Sequence, residues 1–195
     1  MIRLCDILFS LFGLIVLCPL FLIVALWIVL DNPGPVFYRQ QRVGKNGKDF
    51  GLLKFRSMRV GADKMSLITV GDRDPRVTRA GYYIRKYKLD ELPQLWNVLT
   101  GDMSLVGPRP EVRRYVELYT DEQRRVLAVR PGITDYASIE YIDENRLLAE
   151  AADPDKTYIE QIMPAKIQLN MRYIEHQTLG EYFRIIRLTL FKIIR

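Results

Sequence analysis

Residues 7–30, ILFSLFGLIVLCPLFLIVALWIVL, form an apolar stretch of 24 residues without a charge. As one helix, this stretch would be about 36 Å long, enough to cross a hydrocarbon core of about 30 Å. It is longer than the apolar core of a signal peptide, and no small-x-small cleavage site follows it. The stretch therefore predicts an N-terminal segment embedded in a membrane.

Pro19 follows Cys18 in the middle of this stretch. A proline cannot donate to the carbonyl of Ile15 and its ring crowds that turn, so we expect the helix to break at Cys18-Pro19. Two arrangements remain open. One is a kinked spanning helix, which the residues alone favour, and the other is a re-entrant helix that leaves by the face it entered. The basic residues that follow the apolar stretch place its C-terminal end on the cytoplasmic side: Arg39, Arg42, Lys45 and Lys48.

The composition of the whole chain indicates one compact domain with an anionic partner. The 195 residues are 49% hydrophobic and 27% charged, and the net charge is +6. Such a charge suits nucleic acid, anionic lipid or a phosphorylated substrate and does not choose among them. The cysteines, Cys5 and Cys18, fit no zinc pattern, and the single histidine, His176, argues against a multi-histidine metal site or a serine–histidine triad.

Residues 31–195 predict a mostly helical α+β domain. Residues 36–43 and 50–58 are rich in β-formers and flank Asn46-Gly47, which indicates a small hairpin. Residues 61–78 predict a loop with short helical pieces, and 101–110 predict turns. The acidic stretch 142–157 predicts a surface loop at Asp153-Pro154-Asp155. We expect helices over residues 81–88, 91–99, 110–119, 121–129, 158–176 and 179–195. Capping boxes at Thr120-x-x-Gln123 and Thr178-x-x-Glu181 open two of them.

The last predicted helix is amphipathic. A basic amphipathic helix suits a membrane surface, but it would equally pack on a core with its charges in water. The apolar N-terminus favours the membrane surface. The charged face carries Arg184, Arg187, Lys192 and Arg195, and the apolar face carries Tyr182, Phe183, Ile185, Ile186, Leu190, Ile193 and Ile194.

The chemistry is concentrated in residues 90–110, DELPQLWNVLTGDMSLVGPRP. Asp90 stands where the N-cap of a helix is expected, with Pro93 in the first turn, and capping is a common use of aspartate. However, Glu91 adds a second carboxylate, and two acids can divide labour, one attacking and one placing a metal or proton. A helix N-terminus also attracts phosphate.

Two arginines flank these carboxylates. Arg85 lies five residues upstream, and Gly107-Pro108-Arg109-Pro110 lies downstream. Gly107 permits close backbone approach, while the prolines stiffen the loop that presents Arg109. Arginine is suited to bidentate phosphate contact, so a diphosphate-binding site is a sensible hypothesis.

The stretch from Asp90 to Pro110 resembles the signature of bacterial monotopic phosphoglycosyl transferases. Further matches, in the family's order, are NPGPVFYRQ at 32–40, KFRSM at 54–58 and RPGIT at 130–134, so the resemblance covers about residues 1–134. Two positions depart from it. Cys18 stands where members commonly have serine, and Asp135-Tyr136 stands where many have Gly-Trp.

The resemblance implies a two-step reaction. Asp90 would attack the β-phosphate of a UDP-sugar, release UMP and carry the phosphosugar, which polyprenyl phosphate then accepts. Glu91 would assist, and a Mg²⁺ ion at Asp90 and Glu91 would balance the diphosphate charge. The implied phosphate-binding residues are Arg85, Arg109 and Gly107, with Lys54 and Arg56 as further contributors.

The resemblance also implies a location. It favours the re-entrant arrangement: a membrane-embedded helix over residues 1–30, broken at Cys18-Pro19, and a cytoplasmic catalytic domain over residues 31–195 at the bacterial inner membrane. The partners would be a UDP-sugar, polyprenyl phosphate and membrane lipids. A non-catalytic scaffold for polysaccharide assembly is the alternative. A nucleic-acid binder rests on net charge alone, since the sequence has no recognised motif for it.

Overall fold

The computed structural model describes residues 1–62 and 74–194, and it is a mostly helical α+β structure, as predicted. The helices are α1 Ile2–Val16, α2 Cys18–Asp31, α3 Arg79–Lys86, α4 Gln94–Thr100, α5 Arg113–Val116, α6 Tyr136–Glu140, α7 Glu144–Glu150, α8 Pro154–Thr157, α9 Met163–Glu175 and α10 Leu179–Ile194. The strands are β1 Phe37–Val43, β2 Asp49–Phe55, β3 Ser104–Val106 and β4 Gly132–Thr134.

The apolar N-terminal stretch forms two helices that meet at a bend of 60°. Leu17 lies at the bend, and Pro19 lies in the first turn of α2, where its missing N–H costs no hydrogen bond. In the described residues no single helix is long and apolar enough to cross a membrane, whereas α1 and α2 together are. Both helices expose large apolar side chains, a feature typical of an interaction surface: Leu8, Phe12, Ile15, Leu22, Ile23, Leu26 and Leu30.

A buried carboxylate fixes α1 to the rest of the molecule. Asp6 is 1% exposed and accepts hydrogen bonds from the hydroxyl of Ser104 (2.9 Å), the amide of Leu105 (3.0 Å) and the hydroxyl of Tyr182 (2.9 Å). Arg3 also donates to carbonyls at the end of α4. Because these partners belong to α4, β3 and α10, α1 is docked on three elements that follow the apolar stretch in the chain.

The predicted hairpin is confirmed. β1 and β2 pair antiparallel from Phe37 opposite Phe55 to Val43 opposite Asp49. Asn46 and Gly47 have positive φ angles of 58° and 74°, the left-handed backbone that asparagine and glycine tolerate best. Residues 63–73 of the predicted loop lie outside the described residues.

A second sheet was not predicted: β3 lies in the predicted turn region 101–110, and no element was predicted over residues 132–134. β3 and β4 pair in parallel, Ser104 with Gly132 and Val106 with Thr134. Gly107 and Gly132 lie back to back: a Cβ on Gly107 would come within 2.4 Å of the Arg130 carbonyl oxygen. Both glycines are therefore needed for the close approach of the two loops.

Several predicted helix boundaries were wrong. The Thr120–Gln123 capping box forms, with reciprocal bonds of 2.9 and 3.2 Å, but it precedes the 3₁₀ helix Gln123–Ala128 instead of an α-helix. Only α5 forms within 110–119. Residues 158–176 divide into the π-helix Tyr158–Ile162 and α9. The predicted surface loop at Asp153-Pro154-Asp155 instead forms the start of α8, which Asp153 caps, and α7 precedes it in the acidic stretch.

The amphipathic helix α10 packs on the core with only part of its apolar face. Tyr182 and Ile185 are fully buried in a cluster with Val106 and Tyr173. Further along, Leu190 is exposed, as are the basic side chains of Arg184, Arg187 and Lys192 on the opposite face. One half of α10 is thus a core helix, and the other half carries apolar side chains in contact with solvent.

Candidate active site

A tight reversal of the chain presents the two carboxylates. Helix α3 ends at Lys86, Lys88 adopts a left-handed φ of 55°, and a 3₁₀ turn, Leu89–Glu91, follows. Helix α4 begins only at Gln94, with Pro93 as its N-cap, so the prediction that Asp90 caps this helix was wrong. Since the backbone turns before α4 begins, the Asp90 side chain is left available for chemistry.

Asp90 is a buried carboxylate without a protein partner. It is 7% exposed, and within residues 1–62 and 74–194 its side chain makes no hydrogen bond or ion pair. Burial, together with the negative charge of Glu91, raises the pKa of Asp90 against the opposing effect of Lys54, Arg85 and Arg109. A dehydrated carboxylate surrounded by cations is suited to attack an electrophile.

Glu91 has the opposite environment. The Arg109 guanidinium binds both of its oxygens, and Nζ of Lys54 lies 3.6 Å from Oε1. Burial alone would raise the pKa of Glu91, but Arg109 and Lys54 outweigh it and hold the pKa well below its usual range. The two adjacent acids thus have different environments: Glu91 is ionised and paired, whereas Asp90 has no partner among the described residues.

The Arg109 backbone is itself held in place. Its amide donates to Oδ2 of Asp135 at 2.8 Å, and the Asn170 side-chain amide donates to the same oxygen at 2.8 Å. Asp135 is 1% exposed and also caps α6. Sequence reasoning noted Asp135 only as a departure from the family pattern and did not assign it this supporting role.

These residues open on a cavity of about 1100 Å³. Its lining includes all the predicted site residues except Gly107: Lys54, Arg56, Arg85, Asp90, Glu91 and Arg109. Basic side chains outnumber acidic ones in this lining, which favours an anionic ligand. The volume suits a ligand of the size of a nucleotide sugar.

Two predicted phosphate-binding residues have structural contacts instead. Gly107 lies outside the cavity lining and packs against Gly132. Arg56 lines the cavity, but its guanidinium donates to the carbonyls of Asn32 and Pro33 and so ties the turn after α2 to β2. Arg85 is partly buried, lines the cavity and has no ion-pair partner among the described residues, so it is available to an anion.

Sequence reasoning missed a second polar cluster in the same cavity. Nη1 of Arg42 lies 3.7 Å from Oε2 of Glu111, and the Tyr158 hydroxyl donates to Oε1 of that glutamate. Nζ of Lys166 lies 2.8 Å from Oε2 of Glu144. These residues are separated by up to about 120 positions and form no local motif, so only the fold brings them together.

A carboxylate without a partner among the described residues, in a cavity lined mainly by basic side chains, is suited to chemistry on an anionic ligand. The chain belongs to the bacterial sugar transferase family, whose pattern matches residues 1–195. The predicted family membership is thereby confirmed. The cavity, the carboxylate pair and Arg109 all lie within this match.

Three relatives of this chain are named as sugar-phosphate transferases. A putative undecaprenyl-phosphate N-acetylgalactosaminyl 1-phosphate transferase of Bacillus subtilis (strain 168) is 48% identical over 120 residues, 62% of this chain and 67% of that protein. The UDP-N-acetylgalactosamine-undecaprenyl-phosphate N-acetylgalactosaminephosphotransferase of Aeromonas hydrophila is 41% identical, over 89% of this chain and 39% of that protein. The UDP-glucose:undecaprenyl-phosphate glucose-1-phosphate transferase of Escherichia coli (strain K12) is 36% identical, over 96% of this chain and 39% of that protein. The match thus spans about two fifths of the length of the last two.

Proposed function

We propose that this protein transfers a sugar 1-phosphate from a UDP-sugar to polyprenyl phosphate through a covalent intermediate on Asp90. The observation that carries the proposal is the Asp90 carboxylate itself, buried and unpartnered within the described chain, next to Lys54, Arg85 and Arg109. The relatives named for a UDP-sugar donor and an undecaprenyl-phosphate acceptor support it.

In the first step an oxygen of Asp90 forms a bond to the β-phosphorus of the donor. The bond from that phosphorus to the bridging oxygen breaks, and UMP leaves with the electron pair. In the second step a phosphate oxygen of polyprenyl phosphate attacks the same phosphorus, and the bond to Asp90 breaks. Lys54, Arg85 and Arg109 stabilise the negative charge of the transferring group.

Glu91 acts as a positioning residue in this scheme. Its carboxylate holds the guanidinium of Arg109 and the ammonium of Lys54 on the side of Asp90. Because both cations are oriented before the substrate arrives, little reorganisation is needed when charge develops on the phosphoryl group.

The reaction is tested by incubating detergent-solubilised protein with polyprenyl phosphate and a panel of UDP-sugars, with UMP as the readout. We expect UMP and polyprenyl diphosphate sugar in equal amounts with at least one donor. A scaffold for polysaccharide assembly would release no UMP with any of them.

The carboxylate pair fits a Mg²⁺ ion shared with the substrate. Among the described residues, no group of three or more histidines, cysteines or acids forms a metal site. Mg²⁺ commonly takes one or two carboxylates and completes its shell with substrate phosphate oxygens and water. Asp90 would supply one carboxylate oxygen, and Glu91 would supply another by exchanging one of its contacts with Arg109 for the ion. The ion would neutralise part of the diphosphate charge.

Chelation is therefore expected to stop turnover. Excess EDTA should lower UMP release to background, and added Mg²⁺ should restore it, because the cations of the protein alone leave the diphosphate charge incompletely balanced. The measurement is UMP release across a Mg²⁺ titration of chelator-treated protein. Full activity in excess EDTA would show that the reaction needs no metal ion.

The pH dependence should report on Lys54. Burial lowers the pKa of Lys54 to about 8, against the opposing effect of Glu91. Below pH 8 the ammonium is charged and holds the diphosphate, so kcat/KM for the donor should fall as the pH rises through about 8. Arginine keeps its charge over this range, so Lys54→Arg should move the fall to higher pH. An identical profile in both proteins would assign the fall to another group.

The same proposal places α1 and α2 in one leaflet as a re-entrant pair, with Met1 and Arg195 on the cytoplasmic face of the bacterial inner membrane. The bend of 60° and the exposed apolar side chains of both helices support it. A tag at Met1 should then resist a membrane-impermeant reagent in intact cells. Labelling of that tag from the periplasm would instead show a helix that crosses the membrane.

A further inference from the structure

The two cations that bind Glu91 come from separate parts of the chain. Lys54 lies on β2 of the hairpin, with its Nζ 3.6 Å from Oε1 of Glu91. Arg109 lies on the loop that follows β3 and binds both oxygens of Glu91. Because the hairpin and the loop are distant in sequence, the arrangement of these cations around Glu91 and Asp90 depends on the contacts that join the two elements.

Arg42, on β1 of the hairpin, makes one of these contacts with its side chain. Its Nη1 donates to the carbonyl of Pro110 at 3.1 Å and lies 3.7 Å from Oε2 of Glu111. Its Nη2 donates to the side chain of Gln40 at 3.0 Å, which orients the guanidinium. A mostly buried side chain of the hairpin therefore holds the two residues that follow Arg109.

Main-chain contacts hold the same loop independently of the Arg42 side chain. The Arg109 amide donates to Asp135 at 2.8 Å, and the Val43 amide donates to the Glu111 carbonyl at 2.8 Å. These two bonds remain when the side chain of residue 42 is changed. A substitution there is therefore expected to displace the Arg109 guanidinium while the loop stays folded on the hairpin.

We infer, on the basis of the proposed function, that Arg42 is a positioning residue that acts on the reaction through Arg109. By holding the loop against the hairpin, it keeps Arg109 and Lys54 together around Glu91. A cation stabilises the charge that develops on a phosphoryl group best when it is in place before the reaction. A small displacement of the Arg109 guanidinium should therefore cost much of its effect.

The test variant is Arg42→Lys, which keeps the positive charge but loses the planar guanidinium that contacts Pro110 and Gln40 together. Arg113→Lys is the matched control. Arg113 also joins the chain after Arg109 to the hairpin, through the Gly47 carbonyl at 2.8 Å and the Asp49 carboxylate at 2.6 Å. It is exposed and lies outside the cavity lining, so it provides the same kind of tie away from the site.

Both substitutions are made in the unmodified protein and in Arg109→Ala. The readouts are kcat/KM from UMP release and a thermal melt of each preparation. We expect Arg42→Lys to lower kcat/KM about tenfold when Arg109 is present, the effect of a displaced catalytic group. When residue 109 is alanine, the same substitution should change kcat/KM less than twofold, because no guanidinium remains to be displaced. Arg113→Lys should change it less than twofold in either protein.

Equal losses from Arg42→Lys with and without Arg109 would overturn the inference, because Arg42 would then act on the substrate or on stability by itself. An unchanged kcat/KM in Arg42→Lys would overturn it as well. If the unmodified protein releases UMP and the losses are equal, only the inference fails. If the unmodified protein releases no UMP with any UDP-sugar, the proposed function fails and the role of Arg42 fails with it.

Discussion

Asp90→Asn is expected to lower kcat by about 10⁴-fold or more while the protein stays folded. An amide oxygen is a very poor nucleophile, so no phosphosugar can form on residue 90. The Asp90 carboxylate does not stabilise the fold, since its side chain has no bonding partner in the described residues and does not cap α4. UMP release and a thermal melt of the same preparation measure the two effects.

The stability of Asp90→Asn follows from the pKa of Asp90. Burial and Glu91 raise this pKa in the folded state, so the ionised form destabilises the fold once the pH exceeds the unfolded pKa. A neutral amide removes that penalty, and the melting temperature at pH 7 should be equal to or above that of the unmodified protein. Asp121→Asn, an exposed site outside the cavity, is the control and should change kcat less than twofold. Full activity in Asp90→Asn would exclude Asp90 as the nucleophile.

Arg109→Ala is expected to lower kcat/KM by roughly 10²- to 10³-fold, since one well-placed cation at a reacting phosphoryl group has about this effect. The substitution also leaves Glu91 with Lys54 as its remaining ion-pair partner, so some loss of stability is expected. Activity and thermal unfolding must therefore be measured together. Arg109→Lys keeps the positive charge but loses the two-pronged guanidinium, so its kcat/KM should lie between those of Arg109→Ala and the unmodified protein.

A double variant separates the two roles of Arg109. Arg109→Ala combined with Glu91→Gln removes the carboxylate that Arg109 leaves behind, so much of the lost stability should return. If Arg109 binds the substrate, the double variant should be less active than Glu91→Gln alone. Equal activity of those two proteins would show that Arg109 acts only by holding Glu91.

Local features of the sequence predicted those parts of the fold that depend on neighbouring residues. Asn46-Gly47 predicted a hairpin because few residues tolerate two consecutive positive φ angles. The Thr120–Gln123 box predicted its own two hydrogen bonds correctly. It did not predict the 3₁₀ helix that follows, because a cap stabilises only the first turn and tertiary packing decides how the helix continues.

The missed features depend on residues far apart in the chain. Asp6 binds Tyr182, 176 positions away, and before folding nothing marks it as a buried acceptor. β3 and β4 have three residues each, too few for a period to be recognised. In the site, motif matching brought Asp90, Glu91 and Arg109 together, whereas Asp135, Arg42 and Lys166 emerge only from the fold.

The central claim, a covalent phosphosugar on Asp90, is tested most directly by mass. Protein is mixed with an accepted UDP-sugar and Mg²⁺ but no polyprenyl phosphate, and its intact mass is measured before and after polyprenyl phosphate is added. We predict a gain of one sugar phosphate, mapped by peptide analysis to Asp90, absent in Asp90→Asn and lost when the lipid is added. An adduct on Glu91 would reverse the two roles. Turnover without an adduct under any donor condition would contradict the mechanism and favour direct transfer in a ternary complex.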